Sequence, residues 1–154
     1  MKCLISGHRK SKLQNYDLDW IKEKITWSLL DMAQYEHVIG LSGMADGIDL
    51  MFCEALLYLE MAYHCYIPFD GQDEYMSEED KARRASLIDN SYKVFTNTKN
   101  SKMVADADTG IIVWDGNKGG THNVFQQMLE NKKSFVWIEP HNKIVTKIAL
   151  WGKE

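Results

Sequence analysis

The chain has 154 residues and a formal net charge of −4 at pH 7, with 45% hydrophobic and 26% charged residues. This composition is typical of a soluble globular protein, and the length favours one domain over residues 1–154 with a sizeable core. Nucleic-acid binding needs a concentrated basic surface, so the acidic balance argues against a nucleic-acid partner.

Short apolar runs alternate with helical patterns along the chain. The predicted strands cover residues 2–5, 37–41, 63–67, 92–96, 110–114 and 134–138. The predicted helices cover residues 17–35, 48–59, 78–90, 99–106 and 121–131, and residues 143–150 fit either an edge strand or a helix. In the first helix Leu18, Ile21, Ile25, Leu29 and Met32 form one apolar stripe. This order predicts an α/β fold: a single Rossmann-like domain with a mainly parallel sheet and helices on both faces.

The cysteines and the N-terminal residues indicate in which cellular compartment the protein is expected. Cys3, Cys53 and Cys65 form an odd set without metal-ligand spacing, which fits buried free thiols in a reducing cytoplasm. The first residues are too short an apolar run for a signal peptide, and no run reaches membrane-spanning length. We therefore expect a cytoplasmic protein with no membrane partner, no metal site and no cofactor.

Three polar loops follow predicted strands, where ligands bind in parallel α/β sheets. The first is Ser6-Gly7-His8-Arg9-Lys10. Gly7 allows close backbone approach, Arg9 offers a bidentate fork to phosphate or carboxylate, and His8 can donate a hydrogen bond or carry a proton. The alternative is a solvent-facing turn without specific contacts.

The second loop is Ser42-Gly43-Met44-Ala45-Asp46-Gly47, followed by Ile48-Asp49 at a helix start. Ser42 and Gly43 can place a hydroxyl and backbone amides on a phosphate. Asp46 fits either the N-cap of the helix or a ligand contact. Asp49 fits either the acidic partner of that cap or an acceptor for a ribose hydroxyl.

The third loop runs from Asp115 and Gly116 to Gly119-Gly120-Thr121 and opens another helix. The two glycines before Thr121 predict a phosphate nest at the positive end of the helix, with Thr121 as N-cap or hydroxyl donor. Asp115 ends the strand and can accept hydrogen bonds from a ribose or a base. An aromatic residue such as Phe69, Tyr75 or Trp114 is expected to cover that base.

These motifs together resemble the SLOG superfamily. Residues 42–49 resemble its S-G-x-A-x-G-[IV]-D signature, residues 6–9 resemble the start of YpsA-like proteins, and residues 114–121 resemble their second glycine motif. The superfamily also includes the Rossmann domain of DNA-processing protein A and the LOG phosphoribohydrolases. The resemblance covers residues 2–138 and implies a Rossmann-like fold that binds nucleotides or nucleotide-derived ligands, in proteins that are often dimers or tetramers.

The resemblance leaves the activity open. LOG enzymes carry P-G-G-x-G-T-x-x-E with a catalytic glutamate, whereas Val124 stands three residues after Thr121 here. We therefore favour a module that senses or sequesters a nucleotide-derived ligand of the ADP-ribose kind, as a monomer or a homo-oligomer. The alternative is a hydrolase of an N-glycosidic or phosphate bond that uses Asp49, Asp115 or His8 as acid–base group. A third hypothesis is a regulatory protein that binds a partner protein through its outer helices.

Overall fold

Seven strands form one sheet at the centre of residues 1–150, the part of the chain that the computed structural model describes. They are β1 (Lys2–Gly7), β2 (Ile39–Ser42), β3 (Ala62–Ile67), β4 (Lys93–Thr96), β5 (Thr109–Val113), β6 (Phe135–Glu139) and β7 (Ile144–Ile148). The strand order is β4-β3-β2-β1-β5-β6-β7. Neighbouring strands from β4 to β6 are parallel, and β7 is antiparallel to β6.

Five helices cover the two faces of the sheet. They are α1 (Leu18–Ala33), α2 (Ile48–Tyr58), α3 (Glu78–Asp89), α4 (Asn100–Asp106) and α5 (Gly120–Glu130). The helices α1, α2 and α3 lie on one face, while α4 and α5 pack together on the other. The predicted α/β fold, a Rossmann-like domain with a mainly parallel sheet between two helical layers, is confirmed.

The core divides along the pleat of the central strand. In β1, Cys3 and Ile5 point into the cluster beneath α1 and α2, whereas Leu4 points into the cluster beneath α4 and α5. Burial on both faces explains why the parallel strands read as continuous apolar runs. The predicted α1 stripe needs one correction, because Leu18 is 43% exposed. Leu18 is the first residue of the helix, and the stripe reaches the core from Ile21 onward.

Each of the six predicted strands shifts by one or two residues at one or both ends, and the shift that matters most for the loops is in β1. β1 continues through Ser6 and Gly7, which pair with Ile112 and Val113 of β5. These two residues were predicted to lie in the first loop, but pairing with the central strand β5 extends β1. For residues 143–150 the sequence allowed either an edge strand or a helix. The structure shows a strand, β7, which pairs antiparallel with β6 at the edge of the sheet.

The strand order places a crevice between β1 and β5. The chain builds β1 to β4 outward in one direction, and α4 then returns it to β5 on the other side of β1. The loops after β1 and β5 therefore leave the same sheet edge toward opposite faces, which opens space at the carboxyl ends of the strands. Within residues 1–150, every helix is too short or too polar to cross a membrane.

Candidate functional site

A cavity of about 390 Å³ lies at the carboxyl edge of the sheet. Its walls come from selected residues of the segments 6–12, 43–45, 66–72, 98–103 and 114–121, so residues at or after the ends of all five strands from β4 to β5 contribute to it. The volume falls in the range of small-molecule sites. The cavity joins all three loops that the sequence predicted as a binding region.

Three buried polar side chains in the cavity wall have free hydrogen-bonding atoms. Ser6, His8 and Thr121 are only 9%, 7% and 8% exposed. Among residues 1–150, no protein group pairs with Ser6 Oγ, Thr121 Oγ1 or His8 Nδ1, and these atoms are not sealed off as His64 Nδ1 is. These three atoms face the open cavity, so they are free to bond water or a polar ligand there.

His8 presents a fixed tautomer to this cavity. Its Nε2 accepts a hydrogen bond from the backbone N–H of Asp115 at 3.1 Å. Burial lowers the pKa of His8, and Lys12 adds to this effect, although the Asp115 carboxylate opposes it. The ring is therefore neutral at pH 7 with its proton on Nδ1, which makes Nδ1 a donor.

Asp115 is held in place by several donors. Its Oδ2 accepts from the Tyr16 hydroxyl at 3.0 Å, and its Oδ1 accepts from the backbone N–H of Asn117 at 2.9 Å. Burial raises the pKa of Asp115, but the Asn117 backbone, His8 and Tyr16 together bring it below its ordinary value. The carboxyl group is therefore an ionised acceptor at neutral pH.

Positive side chains surround this acceptor. Arg9, Lys12, Lys99 and Lys118 line the cavity, and Asp115 is the one carboxylate among the described lining residues. None of these four cations forms an ion pair with a carboxylate within residues 1–150. The cavity is therefore locally positive in a chain with a net negative charge.

The start of α5 adds backbone donors to the same wall. Gly119, Gly120 and Thr121 line the cavity, and the first helical backbone bond at this end runs from Asn123 to Gly119. The N–H groups of the first turn have no acceptor within the helix and lie at its positive end. Lys12 Nζ comes within 3.8 Å of the position that a Cβ on Gly119 would occupy. The predicted phosphate nest thus has a lysine beside it.

The second loop enters the cavity through Gly43 and Ala45 only. Ser42 Oγ donates to the Asp49 carbonyl at 3.3 Å and accepts from the Met44 N–H at 3.2 Å. Met44 is fully buried in the core and adopts a positive φ of 61°. Ser42 and Met44 therefore shape the loop from within and do not line the cavity.

The acidic residues of this loop also lie behind the cavity wall. Gly47, not Asp46, is the N-cap of α2, and Asp46 accepts from the Tyr75 hydroxyl at 3.5 Å. Asp49 Oδ2 accepts from the Ala45 N–H at 3.1 Å, so Asp49 bonds the loop backbone as a capping partner does. Burial raises the pKa of Asp49 to about 7, against the opposing effects of the Ala45 N–H and Arg9.

Two predicted glycines serve the packing of the loops against each other. Gly47 has a φ of +89°, and a Cβ there would lie 2.6 Å from the His8 carbonyl oxygen. A Cβ on Gly7, which lines the cavity, would lie 2.5 Å from the Ile48 side chain. Gly116 has a φ of +92° in an open turn outside the cavity. Gly7 and Gly47 let the first loop seat directly on the start of α2.

Several residues of the site were missed in the sequence. Lys12, Lys99 and Lys118 lie on or just beyond loops that follow strands, so their positions after β1, β4 and β5 were the available signal. No pattern in the sequence pointed to Gln72. Its side chain is buried, and its amide is satisfied there: Nε2 donates to the Gly43 carbonyl at 2.9 Å and Oε1 accepts from Arg84 at 2.8 Å. Arg84 belongs to α3, and only the packed structure shows that α3 reaches this loop.

No family model and no curated protein matches the chain. The three cysteines are free and buried. Within residues 1–150, no group of three or more His, Cys, Asp or Glu side chains is arranged to hold a metal ion. The function is therefore argued from the cavity itself.

Proposed function

We propose that the chain binds a nucleotide-derived ligand with phosphate groups, of the ADP-ribose kind, and acts as a sensing or sequestering module of the SLOG type. The observation that carries this proposal is the set of unpaired donors on one cavity: Ser6 Oγ, Thr121 Oγ1 and His8 Nδ1. Phosphate oxygens accept several hydrogen bonds at once, so they satisfy such a set better than a single carbonyl does.

The charges favour the same ligand class. Lys12 and Lys118 stand beside the first turn of α5, where backbone N–H groups and the helix dipole stabilise an anion. Arg9 adds a cation on the neighbouring loop. The ionised Asp115 carboxylate retains lone pairs for the hydroxyl groups of a ribose.

Binding without cleavage is supported by how the acid–base candidates are used. Asp49 lies behind the wall, His8 Nε2 is occupied by a backbone donor, and Asp115 holds two donors of its own. No glutamate is found among the described lining residues. The cavity therefore offers donors for an anion, and the acid–base candidates that line it, His8 and Asp115, each already hold a protein partner.

Binding is tested by thermal shift and calorimetry with ADP-ribose, AMP, pyrophosphate and the neutral control adenosine. A ligand at 100 times its Kd stabilises the folded state by about 2.7 kcal/mol, which corresponds to a rise in Tm of about 5–10 °C. We expect this rise with at least one phosphate-bearing compound. Thr121→Val and Ser6→Ala should each weaken its binding by about tenfold, since each removes one donor to a charged group.

Ser86→Ala is the matched control, because Ser86 is exposed on α3 outside the cavity. It should leave the Kd unchanged. If no phosphate-bearing compound raises the Tm, or if Ser86→Ala weakens binding as much as Ser6→Ala, the proposal is wrong. Chromatography after long incubation should return the ligand intact, whereas released base or phosphate would favour the hydrolase.

A further inference from the structure

The two ends of the cavity differ in chemistry. Lys118 and the first turn of α5 lie at the end that follows β5, while Tyr66 and Phe69 lie at the end formed by β3 and the segment after it. Three strand steps separate β3 from β5 in the sheet. At about 4.8 Å per step, the two ends stand roughly 14 Å apart.

Three aromatic side chains line this cavity, and two of them are already engaged. The Tyr66 hydroxyl donates to Asp106 at 2.6 Å, and its ring packs on Phe95 with centroids 4.8 Å apart. Trp114 Nε1 donates to the Asn117 carbonyl at 2.6 Å, and its ring packs on Phe125 at 4.5 Å. Both rings are buried in the core beneath α4 and α5.

Phe69 is different. It is 51% exposed, lines the cavity, and pairs with no other aromatic ring among residues 1–150. An exposed phenyl ring is a surface that a planar apolar group can cover with a gain in free energy. Tyr66 and Met103 contribute further apolar surface to the same cavity.

The segment that carries Phe69 is anchored to the site. We call residues 68–76, which follow β3, the strap. Gln72 of the strap donates to the Gly43 carbonyl and accepts from Arg84, while Arg84 Nε also donates to the Met44 carbonyl at 3.1 Å. The strap and the second loop are thus joined by buried hydrogen bonds three residues from Phe69. These hydrogen bonds hold the backbone of the strap, and with it the position of Phe69, beside the cavity.

We propose that Phe69 forms the subsite for the planar base of the ligand, with Tyr66 and Met103 as further apolar surface and the phosphates at the α5 end. This inference rests on the proposed function and narrows its ligand to a nucleotide that retains its base. The roughly 14 Å between the two ends favours a compound longer than a mononucleotide, such as ADP-ribose, over a sugar phosphate.

The test compares ADP-ribose with ribose 5-phosphate, which lacks the base, on wild type, Phe69→Ala and Phe69→Trp. Base–aromatic stacking predicts that Phe69→Ala weakens ADP-ribose binding by about 5- to 100-fold. Binding of ribose 5-phosphate should change less than about twofold, and Phe69→Trp should restore the affinity for ADP-ribose. Tyr58→Ala is the control, since Tyr58 is an exposed aromatic residue on α2 outside the cavity.

The outcomes separate the two proposals. If Phe69→Ala weakens both compounds equally or neither of them, the base subsite is wrong while phosphate binding stands. If ribose 5-phosphate binds wild type as tightly as ADP-ribose, the base makes no contact and the subsite is again wrong. If wild type binds neither compound, the base subsite is wrong, and the proposed function is rejected with it when AMP and pyrophosphate also fail to bind.

Discussion

At the scale of single residues, Asp49 is a carboxyl group whose pKa is raised by burial. Its Oδ2 accepts from the Ala45 N–H, and it lies next to Gly43 in the wall of the second loop. Burial raises its pKa from 3.8 to about 7, so the folded state holds a proton that the unfolded chain releases. A carboxyl group with a raised pKa contributes most stability below pH 4, and this contribution is lost as pH rises through about 7.

We predict that Asp49→Asn removes this pH dependence. Asparagine keeps an oxygen for the Ala45 N–H and does not ionise. The free energy of unfolding of the variant relative to wild type should therefore increase by about 1–3 kcal/mol between pH 5 and pH 8. Urea denaturation at the two pH values measures it. Subtracting wild type at each pH cancels the opposite contribution of His8, whose lowered pKa costs stability as pH falls. Equal differences at both pH values would contradict the raised pKa.

The residue scale also shows how similar serines take different roles. The sequence predicted ligand contacts for both Ser6 and Ser42. Ser42 Oγ donates to the Asp49 carbonyl and accepts from the Met44 N–H, so it bonds within its own segment of the chain. Ser6 Oγ faces the cavity and has no protein partner. Residue type and position after a strand do not distinguish the two, because the difference lies in which backbone groups come within hydrogen-bond distance.

At the scale of elements, the contact between the first loop and the start of α2 depends on Gly47. The backbone of residues 8–10 passes so close that a Cβ on Gly47 would lie 2.7 Å from the Lys10 nitrogen. The Ile48 N–H also donates to the His8 carbonyl at 3.3 Å. This contact fixes where His8 and Arg9 stand relative to the second loop.

We predict that Gly47→Ala destabilises the protein by more than about 2 kcal/mol. The positive φ alone costs about 1–3 kcal/mol for a residue with a Cβ, and the contact with the His8 carbonyl adds to it. Gly120→Ala is the matched control, since a Cβ there meets nothing within 4 Å and lies in the first turn of α5. Thermal denaturation should show a lower Tm for Gly47→Ala and an equal or higher Tm for Gly120→Ala. Similar Tm values for the two variants would show that the close approach is not required.

At the scale of the whole molecule, overall charge and local charge have opposite signs. The chain carries −4 in total, yet the cavity gathers four cations around one carboxylate. At physiological salt the Debye length is about 8 Å, so charges far from the cavity are screened while those in contact with a ligand act in full. Net charge alone therefore does not describe the electrostatics of the cavity.

We predict that Lys118→Glu weakens binding of ADP-ribose or pyrophosphate by at least about tenfold, because it sets a negative charge beside the phosphates. Lys22→Glu changes the net charge by the same amount on the exposed surface of α1, outside the cavity. It should leave the Kd within about twofold of wild type by calorimetry. An equal loss of affinity in both variants would mean that the total charge controls binding.

Apolar side chains are exposed on the outer helices, where another protein chain could cover them. Trp27 and Leu30 of α1 and Leu57 and Tyr58 of α2 are exposed on the face formed by these helices. The choice between a monomer and a homo-oligomer, which the molecular mass in solution decides, and the hypothesis of a partner protein both stay predictions.

The sequence by itself determined the order of elements and the edge of the sheet that carries the site. Runs such as residues 110–114 predict buried parallel strands because period and β-branching are local properties. Glycine-rich turns after strands likewise predicted that the loops at residues 6–10, 42–47 and 115–121 meet, since parallel strands end at one edge. These conclusions need only the chain order and the rule of right-handed crossovers. Of the second loop, only Gly43 and Ala45 line the cavity.

Only the tertiary structure decided what each polar group does there. The burial of Arg84 against the strap, the unpaired donors of Ser6 and Thr121, and the free ring of Phe69 all depend on residues distant in the chain. Hydrogen bonds and desolvation act over a few ångströms, and α3 reaches the second loop only after the chain has folded. The sequence therefore placed the site, while packing determined which of its groups remain free to bind.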